Sequence, residues 1–572
     1  MRRWLLGASA LTALGLTAFA ERRQLEPRLG SVGRRLAALE ARVVYPSTWR
    51  ETPPPPLVRL TVDKTPTHAI SPLIYGLAHA QPSGLEATGA RLNRWGGNPN
   101  SRYNWLHGSA WNAARDWEFR NYGETADAPR GPSSVADVFV AENAANGATT
   151  WLTVPALGWV ARDGDPDHRS VNVPAAGGPP SPTDADAIAG YDPSANRTGT
   201  SLLSLARKPR DHTGDAVYQD DWIRHLVARF GPTRSGGVGF YSIDNEPDLW
   251  PITHTDVHPV EPNYDEMLSL FVDYARAIKD VDPSARVTGP ALSGWTSLWY
   301  SARDRGDDNF ASHADRRAHA DQPFLTWWLD NLHQLETQSG QRLLDLLDVH
   351  FYPQAPGVFG PVGDEATQRR RLRSTRALWD ATYTDESWIG EPVYLLPRLR
   401  AWRDQYYPGT LVGIGEWNWG ADNTLNGALT IANVLGIFGR EGLDLAAYWT
   451  LPPPDSPGRH AFSLFTNCDG QGHGFGDQSL SASSSSPDDV AVYASRDSTT
   501  SQTVVMVLNH RPDAGIPVTL SPSGAAEWYL YDAEDLGRIR RMGVIDGDPG
   551  GALLTLPPES LSVLRLPPTS ES

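Results

Sequence analysis

From residue 70 onward, short apolar segments alternate with longer stretches of helical or loop character. Each apolar segment is rich in small and β-branched residues and has the length of a buried strand. The eight candidate strands are Leu73–Gly76, Arg91–Trp95, Thr149–Pro155, Gly239–Asn245, Arg286–Pro290, Leu346–Tyr352, Leu411–Gly415 and Leu443–Trp449. Eight strand–helix units are the number that a TIM-like (β/α)8 barrel requires, so the pattern predicts an α/β fold of this type.

Helical periodicity is legible between some of these strands. The segments Asp221–Phe230, Tyr264–Lys279 and Leu425–Arg440 each place their apolar residues on one face with a 3.6-residue period. The last of them ends before Gly442, a residue typical of a helix stop. These apolar stripes indicate core packing and not function.

After about residue 453 the sequence becomes rich in Gly, Ser and Pro and shows no long helix pattern. Short strands are predicted at Asp489–Tyr493, Thr503–Asn509, Glu527–Tyr531 and Ser562–Leu566. They indicate a C-terminal β-sandwich over residues 454–572, following a catalytic barrel over residues 70–453. The alternating segment Leu57–Asp63 lies within residues 57–69, which we expect to join the sandwich as a strand.

Composition narrows the class of protein. The 572 residues carry a formal net charge of −17 and no block of five or more Lys/Arg, which argues against a nucleic-acid partner. A neutral polymer is a better match to this charge as a binding partner. The single cysteine, Cys468, excludes an intrachain disulfide framework. Tryptophan, with 21 residues, is the commonest aromatic, and clefts rich in Trp are one way in which proteins bind glycans.

The N-terminal segment has the pattern of an export signal. Arg2 and Arg3 precede an apolar stretch, and Ala20 completes a small-x-small site ahead of Glu21. Residues 1–20 are therefore predicted to be a cleaved signal or, if retained, a membrane anchor. Residues 21–56 have the composition of a charged stalk and a Pro-rich linker. We expect an exported protein that is secreted, periplasmic or at the cell surface, with membrane contact only through a retained anchor.

Two segments carry candidate chemistry: GFYSIDNEPDLW (239–250) and LVGIGEWNWG (411–420). Each is a buried-strand pattern that runs into a glutamate, Glu246 or Glu416, at the point where barrel enzymes keep their catalytic groups. A solvated surface carboxylate is the alternative for either one alone. Together, on opposite sides of one barrel mouth, they suit a pair about 5 Å apart, the spacing of a retaining glycosidase. The residues leave the two roles interchangeable.

The chain resembles glycoside hydrolase family 44, whose members are endo-acting β-1,4-glucanases that also take xyloglucan. The motifs that carry the resemblance, in the family's order, are NRWGGNPNSRYNW (93–105), DNEPDLW with THTDVHP (244–259), VTGPALSGW (287–295), DVHFYP (348–353) and GIGEWNWG (413–420). The resemblance implies a barrel with a β-sandwich. It also implies that Glu246 is the general acid/base and Glu416 the nucleophile.

Supporting roles follow from side-chain chemistry at strand ends. Arg94 could hydrogen-bond Glu416 and keep it ionised, or it could make a structural ion pair at the barrel mouth. Asn245 could bind the sugar 2-hydroxyl. Tyr352 could orient the nucleophile, and His350 could tune the acid or be a satisfied core histidine.

Other signals are weaker. The candidates for sugar-stacking platforms, each with core packing as its alternative, are Trp95, Trp295, Trp417 and Trp419. His254 and His258 have the spacing of zinc ligands but lack the adjacent glutamate of a zinc protease, which favours a cleft loop. The Asp- and Gly-rich run Asp469–Asp477 breaks the EF-hand spacing. The resemblance leaves a structural Ca²⁺ open, without assigned ligands.

The sequence thus predicts a retaining endo-β-1,4-glucanase that acts on cellulose-type polymers or xyloglucan without a cofactor. We expect a monomer whose partner is its polysaccharide substrate. The first alternative is a mannanase or xylanase with the same catalytic pair, because the sugar subsites decide the substrate. The second is a non-catalytic cell-surface glycan-binding protein, against which the two carboxylates argue.

Overall fold

The computed structural model of the protein describes residues 56–112, 119–123, 131–168, 170, 199–209, 214–521, 524–547 and 551–568. In chain order the strands are β1 (Val58–Ala69), β2 (Gly76–Ala78), β3 (Leu92–Trp95), β4 (Ala110–Asn112), β5 (Asn121–Gly123), β6 (Thr149–Val154), β7 (Trp159–Ala161), β8 (Ser201–Leu205), β9 (Ala216–Tyr218), β10 (Phe240–Ile243), β11 (Val287–Leu292), β12 (Leu346–Phe351), β13 (Leu411–Trp417), β14 (Leu445–Tyr448), β15 (Gln478–Ser484), β16 (Val490–Arg496), β17 (Thr503–Asn509), β18 (Ile516–Ser521), β19 (Ala526–Tyr531), β20 (Arg540–Ile545), β21 (Ala552–Leu556) and β22 (Ser560–Leu566).

The α-helices of the described residues are α1 (Pro82–Thr88), α2 (Ser134–Ala145), α3 (Gln219–Phe230), α4 (Trp250–Thr253), α5 (Tyr264–Val281), α6 (Trp295–Trp299), α7 (Ala302–Asp308), α8 (Ala314–Ala318), α9 (Phe324–Ser339), α10 (Glu365–Ser374), α11 (Leu395–Tyr406), α12 (Leu425–Glu441) and α13 (Pro457–Thr466). Helices α3, α5 and α12 are the three that periodicity predicted, and α12 ends at Gly442 in the left-handed conformation.

Eight parallel strands close into a barrel in the order β2, β3, β6, β10, β11, β12, β13 and β14, with β14 pairing back to β2. This confirms the predicted fold class. Apolar side chains near the strand starts, among them Leu92, Phe240 and Leu346, pack together in one cluster. The carboxyl ends of the same strands carry polar residues, and they lie at the face of the barrel where barrel enzymes have their active sites.

The first predicted barrel strand is displaced. Leu73 lies in a 3₁₀ helix, Pro72–Tyr75, and the strand begins only at Gly76. Pro72 occupies the first turn of that helix, and the Ser71 side chain accepts a hydrogen bond from the backbone N–H of Leu73. The prediction was wrong here because this cap and the proline outweigh the apolar pattern.

The C-terminal strands form one continuous nine-stranded sheet in the order β20, β19, β22, β17, β16, β15, β1, β18 and β21. Strand β1 comes from the other end of the described chain, and it pairs antiparallel with β15 and parallel with β18. Apolar residues from both halves of the sheet, such as Leu60, Val518 and Leu564, share one buried cluster. The sheet therefore folds over a core of its own.

Helix α13 was missed from the sequence. It lies after residue 453, where Gly, Ser and Pro suggested strands and loops, and it packs against α12 and α1 of the barrel domain. Its start has Ser456 as the capping side chain and Pro457 in the first turn. None of the helices in the described part of the chain is long and apolar enough to span a membrane. Residues 1–55, which include the predicted signal or anchor, lie outside the described residues.

Candidate active site

Glu246 and Glu416 meet at the carboxyl ends of the barrel strands. Glu246 follows β10, and Glu416 is the penultimate residue of β13. One carboxylate oxygen from each glutamate and a ring nitrogen of His350 all lie within 4.8 Å of one another. All three residues are buried. The two glutamates singled out in the sequence therefore face each other in one site.

A β-bulge in β13 turns Glu416 toward the barrel interior. In the pairing with β12, Val349 lies opposite Ile414 and His350 lies opposite Glu416, so Gly415 is the extra residue. Side chains alternate between the two faces of a strand, and one inserted residue reverses this alternation. The bulge therefore puts Glu416 on the same face as His350.

Asp244 holds the turn that presents Glu246. Its carboxylate accepts hydrogen bonds from the backbone N–H groups of Ala156 at 2.5 Å, Leu157 at 2.7 Å and Asn245 at 2.8 Å. Asp244 and Glu246 have φ angles of 59° and 43°, in a region that residues other than glycine adopt only where their surroundings hold them. The Asp-Asn-Glu turn is thus fixed by the loop that follows β6, the neighbouring strand.

The guanidinium group of Arg94 contacts residues at the ends of two strands, β10 and β13. Nη1 donates to Glu416 Oε1 at 2.7 Å, and Nη2 donates to Asn245 Oδ1 at 2.9 Å. Arg94 is completely buried, so its charge is balanced by protein groups and not by solvent. The predicted contact with Glu416 is present, and it is also an ion pair at the barrel mouth, so it is compatible with both roles considered from the sequence. Asn245 also accepts from the Gly97 N–H at 3.2 Å, which fixes its amide group.

His350 bridges Arg94 and Glu246 as a neutral ring. Burial lowers the pKa of His350 to about 4. Its Nε2 lies 3.4 Å from Arg94 Nη2, which can only donate, so Nε2 accepts and the ring proton belongs on Nδ1. Nδ1 then donates to Glu246 Oε1 at 2.9 Å. This leaves Glu246 Oε2 as the oxygen that can carry an acidic proton.

The two carboxyl groups have opposite surroundings. Glu416 accepts from Arg94 and, at 2.8 Å, from the Tyr352 hydroxyl, and both donors stabilise a carboxylate. Burial raises the pKa of Glu246 to about 8; the charge of Asp248 adds to this rise, and Arg94 opposes it. The site therefore holds one carboxyl group whose pKa is raised by burial beside a second one with a cationic and a hydroxyl donor, which is the arrangement that acid–base and nucleophilic chemistry needs.

The same cluster has enough ligand atoms for a metal ion, because Glu246, His350 and Glu416 converge. Arg94, however, donates to Glu416 and reaches His350. A guanidinium group keeps its proton, so a divalent cation here would meet a fixed positive charge in a buried site. The donor set therefore favours proton transfer over metal binding.

The tryptophans proposed as stacking platforms are buried. Trp417 and Trp419 have 0% exposure, so that prediction is wrong for both, because a fully enclosed indole has no free face for a sugar. Trp95 packs against Tyr103 and other rings. Trp295 is likewise buried, with Trp299 and Arg398 against its ring. The four residues belong to the packing that supports the site.

Two other tryptophans lie near the site and were missed. Trp449 follows β14, is partly exposed and lies with its ring 5.9 Å from the Arg94 guanidinium carbon. Trp388 is 42% exposed, and its Nε1 donates to Gln354, two residues after Tyr352, at 3.3 Å. Trp449 could have been found from its place at the end of the last predicted strand. Trp388 could not, because a long connection separates it from any barrel strand.

The remaining candidate metal motifs have other roles. His254 is fully buried, and His258 Nε2 lies 3.0 Å from Glu266 Oε1. Asp469, in the run that resembled a calcium loop, pairs with Arg565 Nη1 at 2.9 Å and with His473 Nδ1 at 2.6 Å. These partners occupy the carboxylate that a calcium ion would need. Among the described residues, the one group with metal-ligand geometry is the cluster of Glu246, His350 and Glu416.

Comparison with known proteins identifies the family. Residues 110–355 match the model of glycoside hydrolase family 44. A bifunctional glucanase-xylanase from a metagenome library has a solved structure that is 36% identical to this chain, with a TM-score of 0.81, and the match covers 90% of this chain and 100% of the other. The chain belongs to glycoside hydrolase family 44.

Other glycan-degrading enzymes match over similar lengths. A family 44 xyloglucanase of Paenibacillus polymyxa, solved with xyloglucan, is 25% identical with a TM-score of 0.78, over 90% of this chain and 100% of the other. Endoglucanase A of Paenibacillus lautus is 34% identical over an alignment of 478 residues that covers 80% of this chain. This chain spans 64% of the length of that endoglucanase.

Proposed function

We propose that this protein is a retaining, endo-acting glycoside hydrolase that cleaves β-1,4-glucan chains. The observation that carries the proposal is that one carboxyl oxygen of Glu246 and one of Glu416 lie within 4.8 Å of each other, while the two groups have different hydrogen-bond partners. Retaining enzymes keep their carboxyl groups about 5–5.5 Å apart, whereas inverting enzymes leave about 6.5–9.5 Å for a water molecule. The short separation therefore supports direct attack by one carboxylate on the sugar.

In the first step Glu416 is the nucleophile and Glu246 the acid. A Glu416 oxygen forms a bond to the anomeric carbon as the glycosidic C–O bond breaks, and the Glu246 proton passes to the leaving oxygen. Arg94 and Tyr352 hold the Glu416 carboxylate in a fixed orientation for this attack. Protein side chains supply every group in this step, so the chemistry needs no cofactor.

In the second step Glu246, now ionised, takes a proton from water. The resulting hydroxide equivalent attacks the anomeric carbon, and the bond to Glu416 breaks with a second inversion. His350 keeps its hydrogen bond to Glu246 Oε1 throughout and so leaves Oε2 to exchange the proton. Asn245, fixed by Arg94 and Gly97, stands beside the acid and has an N–H group for a sugar hydroxyl.

The pKa of Glu246 predicts the alkaline side of the pH profile. Because Glu246 must be protonated in the first step, kcat/KM is expected to fall as the pH rises through about 8, the value to which burial raises this pKa. Initial rates on a soluble substrate, measured from neutral to alkaline pH at low substrate concentration, test this. An alkaline limb that stays in place in Glu246→Gln would contradict the assignment.

The substrate class rests on the site and on the relatives together. The acidic chain, with net charge −17, argues against a nucleic acid as the substrate. Among the relatives are an endoglucanase, a glucanase-xylanase and a xyloglucanase. A β-1,4-glucan backbone, bare or substituted as in xyloglucan, is the substrate shared by these names.

Trp388 is expected to bind sugar at the rim of the cleft. Its exposed ring is held by Gln354, whose own side chain donates to the Tyr352 carbonyl at 2.9 Å. Trp388→Ala should raise KM for a long oligosaccharide roughly three- to tenfold and leave kcat nearly unchanged, since stacking is worth about 0.5–1.5 kcal/mol. Met542→Ala, which removes a similarly exposed apolar side chain from the distant sheet, is the control. Equal KM values for the two variants would remove Trp388 from the binding site.

A four-polymer assay tests the proposed function. Carboxymethyl cellulose, tamarind xyloglucan, xylan and glucomannan are incubated with wild type and Glu416→Gln, and new reducing ends are counted. Activity on the first two that is absent from the variant supports the proposal, and NMR of the first-formed anomer tests retention. Activity confined to xylan or glucomannan would point to a xylanase or mannanase with the same catalytic pair. Binding without turnover on all four would favour a glycan-binding protein.

We also infer that the protein acts outside the cytoplasm. The support is the signal pattern of residues 1–20 and a substrate class that is too large to cross a membrane. Fractionation of the native host, with antibody detection, tests this. Recovery of the protein in the cytoplasm alone would overturn it, and recovery with the membrane would indicate that the segment is retained as an anchor.

A further inference from the structure

Asp348 is a buried carboxyl group that the mechanism above does not use. It lies in β12, two residues before His350, and has 0% exposure. Neither of its oxygens makes a hydrogen bond of normal geometry with a described residue. Buried carboxyl groups are nearly always well paired, whereas Asp348 has only weak contacts with the Gly415 backbone and the Ser242 hydroxyl, so its place inside the barrel calls for a functional explanation.

The charged neighbours of Asp348 are the catalytic ones. Burial raises the pKa of Asp348 to about 7; Glu416 adds to the rise, whereas Arg94, the Gly415 backbone and Ser242 lower it. The charges of Arg94 and of the nucleophile Glu416 therefore both act on Asp348. Arg94, which is fully buried, makes a direct ion pair with Glu416 at 2.7 Å and interacts with Asp348 at longer range.

Asp348 also occupies the space beside the bulge that orients Glu416. Asp348 pairs with Gly413 in the ladder between β12 and β13, two positions before the bulge residue Gly415. A Cβ atom on Gly415 would collide with Asp348 Oδ1, so only glycine fits opposite this carboxyl group. The glycine that precedes Glu416 in the sequence GIGEW thus leaves the space that the Asp348 side chain occupies.

We propose that Asp348 is a positioning residue that gives Arg94 a second counter-charge and supports the Gly415 bulge. The proposal rests on the proposed function and deepens it. When Glu416 becomes a glycosyl ester it loses its negative charge, and Arg94 would be left as an uncompensated buried cation. A carboxylate at Asp348 keeps Arg94 in place through the second step, so that Glu416 leaves the sugar as a stabilised anion.

The test compares Asp348→Asn with wild type on a dinitrophenyl β-cello-oligosaccharide, whose good leaving group makes the first step fast. Asp348→Asn keeps the shape and removes the charge, so hydrolysis of the glycosyl-enzyme should slow. We expect kcat to fall on the order of tenfold or more, kcat/KM to fall much less, and a burst of phenolate with a glycosyl-enzyme visible by intact mass. Asp345→Asn is the matched control: Asp345 pairs with Lys279 at 2.7 Å, just before the start of the same strand, and should show no burst.

Three results would overturn the proposed role of Asp348. A parallel fall of kcat and kcat/KM in proportion to a lowered Tm would reduce Asp348 to a structural residue and overturn the proposal, as would unchanged kinetics. If Asp348→Asn fails to fold, Gly415→Ala probes the same contact from the other strand, and wild-type kcat in that variant would overturn the proposal. Failure of wild type to turn over this substrate and the polymers would instead reject the proposed function.

Discussion

Replacement of Glu416 by glutamine is expected to lower kcat by roughly four orders of magnitude or more, which corresponds to about 5.5 kcal/mol or more of transition-state stabilisation. Glutamine has nearly the same shape but cannot form the glycosyl ester. The loss should appear in kcat, because the variant removes the attacking group and leaves the remaining sugar contacts in place. Reducing-end assays on carboxymethyl cellulose and xyloglucan measure the change.

Stability is the control for Glu416→Gln. The variant removes the buried ion pair with Arg94 at 2.7 Å, so calorimetry must show that the protein is still folded. Tyr352→Phe is a matched comparison, since it removes the other donor to Glu416, at 2.8 Å, and leaves the carboxylate. We expect a far smaller loss for Tyr352→Phe. A folded Glu416→Gln protein with activity near that of wild type would refute the nucleophile assignment.

Replacement of Glu246 by glutamine is expected to give a loss that depends on the leaving group. On polysaccharide, whose leaving oxygen needs a proton, kcat/KM should fall by roughly two to four orders of magnitude. On an activated dinitrophenyl glycoside the first step needs little acid, so kcat/KM should be close to that of wild type. The second step still needs a base, so glycosyl-enzyme should accumulate on the activated substrate.

This contrast separates the two glutamates. Glu416→Gln should be inactive on both substrates, whereas Glu246→Gln should keep its first step on the activated one. Glu266→Gln, which changes the partner of His258 away from the catalytic pair, serves as a surface control. If kcat/KM of Glu246→Gln fell by the same factor on both substrates, Glu246 would not be the proton donor.

The barrel was readable from the sequence because its strands are short apolar runs separated by helical patterns. The errors fall where local chemistry competes with that pattern. Pro72 and the Ser71 cap turn an apolar run into a 3₁₀ helix. Helix α13 lies in a Gly- and Pro-rich region whose composition indicated only strands. The extra residue at Gly415 has no sequence signal of its own, because a bulge is defined by pairing with another strand.

The convergence of Glu246 and Glu416 was predictable from the sequence, whereas the surroundings of the two glutamates were only partly so. Glu246 and Glu416 end strand patterns, and strand order alone places both at one mouth. Arg94, His350 and Tyr352 were named from their positions at strand ends, and their hydrogen bonds link them to the glutamates. The exposure of a side chain could not be read from its residue type. Trp417 and Trp419 were therefore wrongly predicted to be sugar-stacking platforms, and the exposed Trp388 was not considered.

The position of β1 in the C-terminal sheet sets an order on biosynthesis. This strand ends at Ala69, yet its two neighbours, β15 and β18, begin at Gln478 and Ile516. The first strand of the described residues therefore leaves the ribosome more than four hundred residues ahead of either sheet partner, so these pairings cannot form until most of the chain has been made. The completed sheet ties the beginning of the described chain to its end.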